Sequence, residues 1–298
     1  MDHEEGKSEP RNWKREIALW GLAALVTVLC FTYQDKTGPT HPLEGEFDTA
    51  LGTVEFQFLR SETIGTDLRV MVLDPVPDGL SGSVRYRRYS SDDEWTTMPM
   101  APMSFTFERR GSTEDLSGIG AALPSLGERA GKYEYLVFID DGVDEPVSVT
   151  GDQPIYARYK AAVPDWAIVL HVLAIFAAMT IAIRTLLEAL LDGDYYRLLW
   201  ATVISLLIGG FVLGPLVQSY AFGVWWSGVP FGYDWTDNKV LVELAFWLIA
   251  LFLNRGGRRN RASVVVAGIM TLVVYFIPHS LFGSEYDYRT GTGHGTAG

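Results

Sequence analysis

The chain has 298 residues, 48% of them apolar, a formal net charge of −12 and one cysteine, Cys30. One cysteine excludes an intrachain disulfide, and the acidic balance argues against nucleic acid or anionic lipid as the partner of its charged region. The apolar residues are gathered in five blocks, each approaching or reaching the roughly 20 residues that cross a bilayer, which predicts a polytopic membrane protein.

In chain order, a basic segment at residues 1–16 precedes a first transmembrane helix over 17–33. Tyr33-Gln34-Asp35-Lys36 follows with no small-x-small cleavage pattern, so this helix reads as an uncleaved signal anchor. Residues 34–163 then form a polar domain in which 44–160 hold 21 Asp and Glu against 11 Lys and Arg. Period-two runs recur through it, at 54–58, 68–72, 84–89, 104–107 and 133–138, separated by Asp-Pro, Pro-Asp-Gly, Ser-Asp-Asp and Asp-Asp-Gly. About seven short strands with turns this frequent predict a β-sandwich.

One stretch carries a resemblance. Leu126-Gly-Glu-Arg-Ala-Gly-Lys-Tyr133-Glu-Tyr135 resembles the tyrosine corner of immunoglobulin-like and fibronectin type III sandwiches. The resemblance implies that the Tyr133 hydroxyl bonds back to upstream backbone and that Tyr135 stands where a true immunoglobulin domain has cysteine. The expected fold is therefore an α+β membrane protein with an immunoglobulin-like or fibronectin-III-like β-sandwich inserted after the first of five transmembrane helices. The segment 44–160 has no His, no Cys and no Gly-x-Ser-x-Gly, so the domain reads as a binding or spacing module.

Four further spans are expected at 164–184, 198–217, 240–254 and 262–282, with 198–217, the third span of the chain, kinked at Pro215 beyond Gly209-Gly210. The fourth is the shortest and contains Glu243. The segments 1–16, 184–197 and 254–261 carry ten Lys and Arg, whereas 218–239 and 283–298 carry two. The positive-inside rule then puts the N-terminus in the cytoplasm, and the domain, the 218–239 loop and the 283–298 tail on the far side of a plasma (inner) membrane.

Polar residues inside spans are the strongest functional pointers, because hydrocarbon penalises them. His171, Glu243 and His279 stand out, all in the outer half of their spans. His171 shares a helical face with Ala174, Ala178 and Ala182, Glu243 with Trp247, Ala250 and Asn254, and His279 with Gly268, Thr271 and Tyr275. Two histidines and a carboxylate at similar depth suit a transition metal (His171, Glu243, His279), or haem with His171 and His279 as axial ligands and Tyr275 and Glu243 beside them. Trp226, Tyr233, Asp234 and Asp237 in the 218–239 loop would roof such a site. The aromatic residues of that loop suit a membrane interface, and Thr236 or Asp237 suits the N-cap of the fourth helix. The leading functional expectation is non-enzymatic: a membrane protein whose acidic domain binds a protein partner or supports assembly. Cofactor handling is the alternative, and transport the third.

Overall fold

The computed structural model describes residues 13–109, 112–143, 145–278 and 283–293. It is an α+β structure of two compact units: a helical unit of Met1–Gln34, Val169–Leu213 and Val240–Ile277, and a two-sheet unit of Asp35–Ile168, Gly214–Lys239 and Pro278–Gly298.

The helices are α1 (Trp13–Thr37), α2 (Asp165–Leu190), α3 (Tyr196–Leu206), α4 (Gly214–Phe222), α5 (Trp235–Leu253) and α6 (Arg261–Phe276), with a π-helical segment, Leu207–Leu213, between α3 and α4. Three stretches, Trp13–Thr37, Asp165–Leu190 and Tyr196–Phe222, are long and apolar enough to cross a membrane by length and composition, and α6 is a shorter apolar helix. Within the helical unit, Ala23 and Cys30 of α1 pack on Met179 and Ile183 of α2 and on Val274 and Tyr275 of α6. A second cluster joins Ala178 and Ala182 of α2, Leu199 and Val203 of α3, Trp247 and Ala250 of α5, and Val264 and Ala267 of α6. Small residues set these approaches: a Cβ on Gly268 would lie 2.6 Å from the Leu186 Cβ, so the Leu186 side chain of α2 packs directly on the α6 backbone. Large apolar residues such as Leu25, Leu29, Leu173, Ile249 and Phe252 point away from these clusters and are exposed.

Helix limits depart from the sequence reading throughout, beginning with the first helix, which runs from Trp13 to Thr37 and not over 17–33. The second helix continues past residue 184 to Leu190, because Thr185-Leu-Leu-Glu-Ala-Leu contains no breaker, so Arg184 lies inside the helix and not in a flanking segment. The third apolar stretch does not wait for Pro215 to change its winding; the π segment precedes the proline and contains Gly209-Gly210. The fourth begins at Trp235, five residues earlier than expected. The last helix stops at Phe276 and Ile277 is extended (φ −80°, ψ 118°), as the residue before Pro278 should be. His279, expected in a continuation of that helix, lies outside the described residues.

The two-sheet unit contains β1 (Leu43–Thr49), β2 (Gly52–Phe58), β3 (Ser61–Thr63), β4 (Leu68–Leu73), β5 (Ser81–Arg88), β6 (Thr96–Pro99), β7 (Ala101–Arg109), β8 (Ser112–Leu123), β9 (Lys132–Asp140), β10 (Val147–Ser148) and β11 (Ile155–Lys160). One sheet runs β1-β2-β4-β8-β7 and the other β3-β11-β9-β5-β6, with β10 on β9. Val54, Phe58, Val70, Val72 and Leu123 of the first sheet share one core with Val84, Tyr135, Val137, Ala157 and Tyr159 of the second. Period-two alternation is the cause, since every second residue of β4, β5, β9 and β11 turns to that core. The five runs read from the sequence fall in β2, β4, β5, β7 and β9. The longest strand, β8, was not among them: its Ser-Gly-Ile-Gly-Ala-Ala-Leu stretch is poor in β-branched residues. Gly118 sits at φ +152°, and a Cβ there would run into the Val72 carbonyl oxygen, so close strand approach explains a composition that hides the strand.

Two tyrosines anchor the core through their hydroxyls. Tyr133 Oη donates to the Pro124 carbonyl at 3.0 Å, nine residues upstream, and Tyr135 Oη donates to the Leu59 carbonyl at 2.7 Å. Burial pushes the Tyr133 hydroxyl up to about 12. The chain returns to this unit at its end: the Tyr286 N–H donates to the Ala130 carbonyl, the Tyr288 N–H to the Ser90 carbonyl, and Lys132 Nζ lies 2.7 Å from Glu285 Oε2.

Candidate functional site

In the helical unit, the faces read from the sequence are buried. Glu243 is 1% exposed and Trp247 and Thr271 are fully enclosed. Thr271 Oγ1 donates to Glu243 Oε1 at 2.8 Å and accepts the Trp247 indole N–H at 2.9 Å. Tyr275 is buried one helical turn beyond Thr271, and its carbonyl accepts the Gln34 side-chain amide at 2.8 Å. Threonine is well suited here, since its hydroxyl is donor and acceptor at once.

His171 is half-buried, with Nδ1 3.2 Å from the Gly209 carbonyl, so Nδ1 carries the proton that the carbonyl accepts. Gly209 lies in the π segment, where a Cβ would press within 3.2 Å of the α2 backbone at Ala174. Winding of this kind occurs often at functional positions. Among the described residues no group of three or more His, Cys, Asp or Glu is arranged to hold a metal ion. The third ligand proposed from the sequence, His279, is outside them.

The sequence reading missed a buried ionic cluster. Arg184 is 2% exposed, with Nη1 2.6 Å from Glu188 Oε2 and Nη2 3.1 Å from Glu16 Oε2. Arg15 Nη2 closes the set at 3.0 Å from Glu188 Oε1. Two arginines and two glutamates cancel in charge, and each is drawn from α1 or α2, so the cluster ties those helices together. The available signal was Arg184 and Glu188 at i, i+4, which assigning Arg184 to a loop concealed.

The aromatic segment between α4 and α5 is organised by acids rather than decorated by them. Asp237 Oδ2 accepts the backbone N–H of Ser227 at 2.7 Å and of Gly228 at 3.1 Å, the Ser227 hydroxyl at 3.1 Å and the Gln218 amide at 3.2 Å. Burial raises its carboxyl above the ordinary carboxylate range. Asp234 Oδ1 accepts the Thr236 N–H at 2.8 Å, while Oδ2 takes the N–H and hydroxyl of Ser284 at 2.8 and 2.9 Å. Asp234 is thus the cap, in place of Thr236 or Asp237, because the helix starts earlier and Asp237 turns back to hold the preceding turn. Of the residues expected to line a roof, Asp234 and Asp237 are buried within this framework, Tyr233 is exposed, and the Trp226 indole donates to the Val229 carbonyl at 3.1 Å.

The outer face of the β3-β11-β9-β5-β6 sheet carries an aromatic and cationic patch that the sequence reading also missed. Trp95, just ahead of β6, sits under two guanidinium groups, Arg87 Cζ at 4.6 Å and Arg85 Cζ at 5.3 Å from its ring centroid. Arg87 Nε lies 2.6 Å from Glu134 Oε1, and Glu134 is paired across the strands with Tyr156, which is exposed. Tyr156 meets Tyr89 edge to face at 5.1 Å. The alternation Val84-Arg85-Tyr86-Arg87 was the signal, since residues flanking core Val84 and Tyr86 must face outward. Beside this patch, burial lowers the Lys132 ammonium and the Arg158 guanidinium from their usual values.

Comparison of the chain with family models, with curated proteins and with solved structures returns no match.

Proposed function

We propose that this is a plasma-membrane protein that presents an acidic, immunoglobulin-like β-sandwich outside the cytoplasm to bind a protein partner, without catalysing a reaction. The observation that carries this reading is the outer sheet face of Arg85, Trp95, Arg87 and Tyr156. Trp, Tyr and Arg dominate binding energy at protein interfaces, and here guanidinium groups stacked on an indole are held half-open on a domain that is otherwise acidic. The Tyr133 hydroxyl bonded to the Pro124 carbonyl supports the immunoglobulin-like assignment. With Arg184 set aside as part of α2, the excess of nine Lys and Arg over two in the alternating segments supports five spans, a cytoplasmic N-terminus and an extracytoplasmic C-terminus.

A photo-reactive amino acid at Thr97, which pairs with Arg85 across β5 and β6, tests this in intact cells expressing the full chain. A discrete crosslinked adduct, lost on combining Trp95→Ala with Arg87→Glu and absent with the probe at Thr53 on the other sheet, is expected. No adduct at Thr97, or one indifferent to the two substitutions, would sink the reading.

A further inference from the structure

We infer that the turn between α4 and α5 dips into the boundary between headgroups and acyl chains of the bilayer, with Phe231 as its leading side chain. This rests on the reading of the helical unit as membrane-spanning.

The first argument is an accounting of backbone donors. Every N–H from Ser227 to Gly232 has an acceptor within the segment or at the start of α5. Ser227 and Gly228 donate to Asp237 Oδ2, Val229 donates to Asn238 Oδ1 at 2.8 Å, and Phe231 and Gly232 donate to the Gly228 carbonyl at 2.9 and 3.0 Å. Pro230 has no N–H to satisfy. An ordinary surface loop leaves such groups to water. A turn that satisfies its own donors loses less on leaving water, and satisfied donors are one half of what irregular backbone needs at a membrane.

The second argument is what the turn presents. Phe231 is 72% exposed and Tyr233 68%, and Trp225, Val229 and Trp235 are exposed with them. The charged residues of the segment, Asp234, Asp237 and Lys239, are all buried, so from Ser219 to Lys239 no formal charge faces outward, on a chain of net charge −12. Large apolar side chains without charge around a self-satisfied backbone are a poor surface for water.

The third argument is continuity. The segment joins the ends of two apolar helices, and Tyr220 of α4 meets Trp166 at the start of α2 edge to face at 6.4 Å, both of them exposed. Amphipathic rings of this kind gather at the membrane interface. Trp and Tyr alone would stop there. Val229 and Phe231, with no polar atom in the side chain, belong deeper, and they stand at the tip.

Single-cysteine versions of the full-length protein in a Cys30→Ala background test this, with an environment-sensitive NBD label and reconstitution into phosphatidylcholine nanodiscs. Labels are placed by Phe231→Cys, by Leu25→Cys on the exposed face of α1, and by Val143→Cys on an exposed turn of the two-sheet unit. Lipids spin-labelled near the headgroup should quench the label at 231, whose emission should be blue-shifted, and leave that at 143 unchanged. If the label at 25 is shielded from water but that at 231 behaves like 143, the inference is overturned. If the label at 25 is itself in water, the membrane reading fails instead.

Discussion

In the two-sheet unit the core shared by the sheets is Val, Leu, Ile, Ala, Phe and Tyr, and the carboxylates and guanidinium groups lie outside that core. In the helical unit the buried set includes Arg184, Glu188, Glu243, Asn254 and Thr271, while Leu25, Leu173, Ile249 and Phe252 face outward. The core between the sheets and the interior of the helical unit therefore differ in polarity, although the two-sheet unit also buries Glu134, Asp234, Asp237 and Lys239 away from that core. The hydrophobic effect builds the first, since burying an apolar side chain removes it from water. It cannot build the second against an acyl-chain solvent, where close packing of small residues and internal polar contacts hold helices together. The contrast is itself the strongest indication of the solvent each unit meets.

The largest expected effect tests the interior charges. Arg184→Ala should cost about 3 to 5 kcal/mol, because it leaves the Glu16 and Glu188 carboxylates without their shared cation in a buried setting. Unfolding in mixed detergent micelles measures it. Replacing Arg184 and Glu188 together by methionine should cost less than Arg184→Ala alone, since the desolvation of both charges is relieved. A pair that costs more than the single change would show that the cluster is not held as a unit. In the two-sheet unit Arg87→Ala removes the partner of the buried Glu134 carboxylate, but Arg87 is itself about a third exposed and water can reach the site, so the expected loss is smaller, about 1 to 3 kcal/mol.

The next comparison removes one hydroxyl from each interior. Tyr135→Phe strands the buried Leu59 carbonyl and should destabilise the two-sheet unit by about 1 to 3 kcal/mol. Thr271→Val removes the link between Trp247 and Glu243 and should cost about 0.6 kcal/mol, the usual scale between membrane helices, whose unfolded state also finds partners. Thermal unfolding of the two variants under the same detergent conditions compares them, and a costlier Thr271→Val would mean that Glu243 depends on this bond.

These contacts divide by how far apart in sequence their causes lie. The strands with alternating large residues and the faces of Ala178, Trp247 and Thr271 were legible, because periodicities of 2 and 3.6 are local. Strand β8 was not, since Gly118 and Gly120 answer to the neighbouring strands and not to intrinsic propensity. Among the site candidates, the inward faces of Glu243 and Tyr275 could be read, but their partners could not: Thr271 is 28 residues from Glu243, and Glu16 is 168 residues from Arg184. Asp237 was misread as a cap because capping is the local habit of aspartate, whereas its carboxylate serves a turn ten residues upstream.

The smallest effect separates the units by salt and acid. Arg88 grips Asp93 with Nε and Nη2 at 2.6 and 2.8 Å from its two carboxylate oxygens, which holds the Asp93 carboxyl below its ordinary value. A carboxyl with a depressed folded value is protonated first in the unfolded chain as pH falls. Its contribution is therefore complete above the ordinary aspartate value near 3.8 and is lost as pH drops through the lower folded value. Both side chains are about a third exposed or more, so screening limits the pair to below about 1 kcal/mol. Asp93→Asn should remove that acid sensitivity, and high salt should weaken the pair in the unmodified protein. The Arg184 cluster, with Arg184 and Glu188 almost wholly enclosed, should respond far less to salt. An Arg184→Ala defect that shrinks in high salt as strongly as the Asp93 effect would mean that ions reach the helical interior, and the contrast in polarity between the units would no longer imply two different solvents.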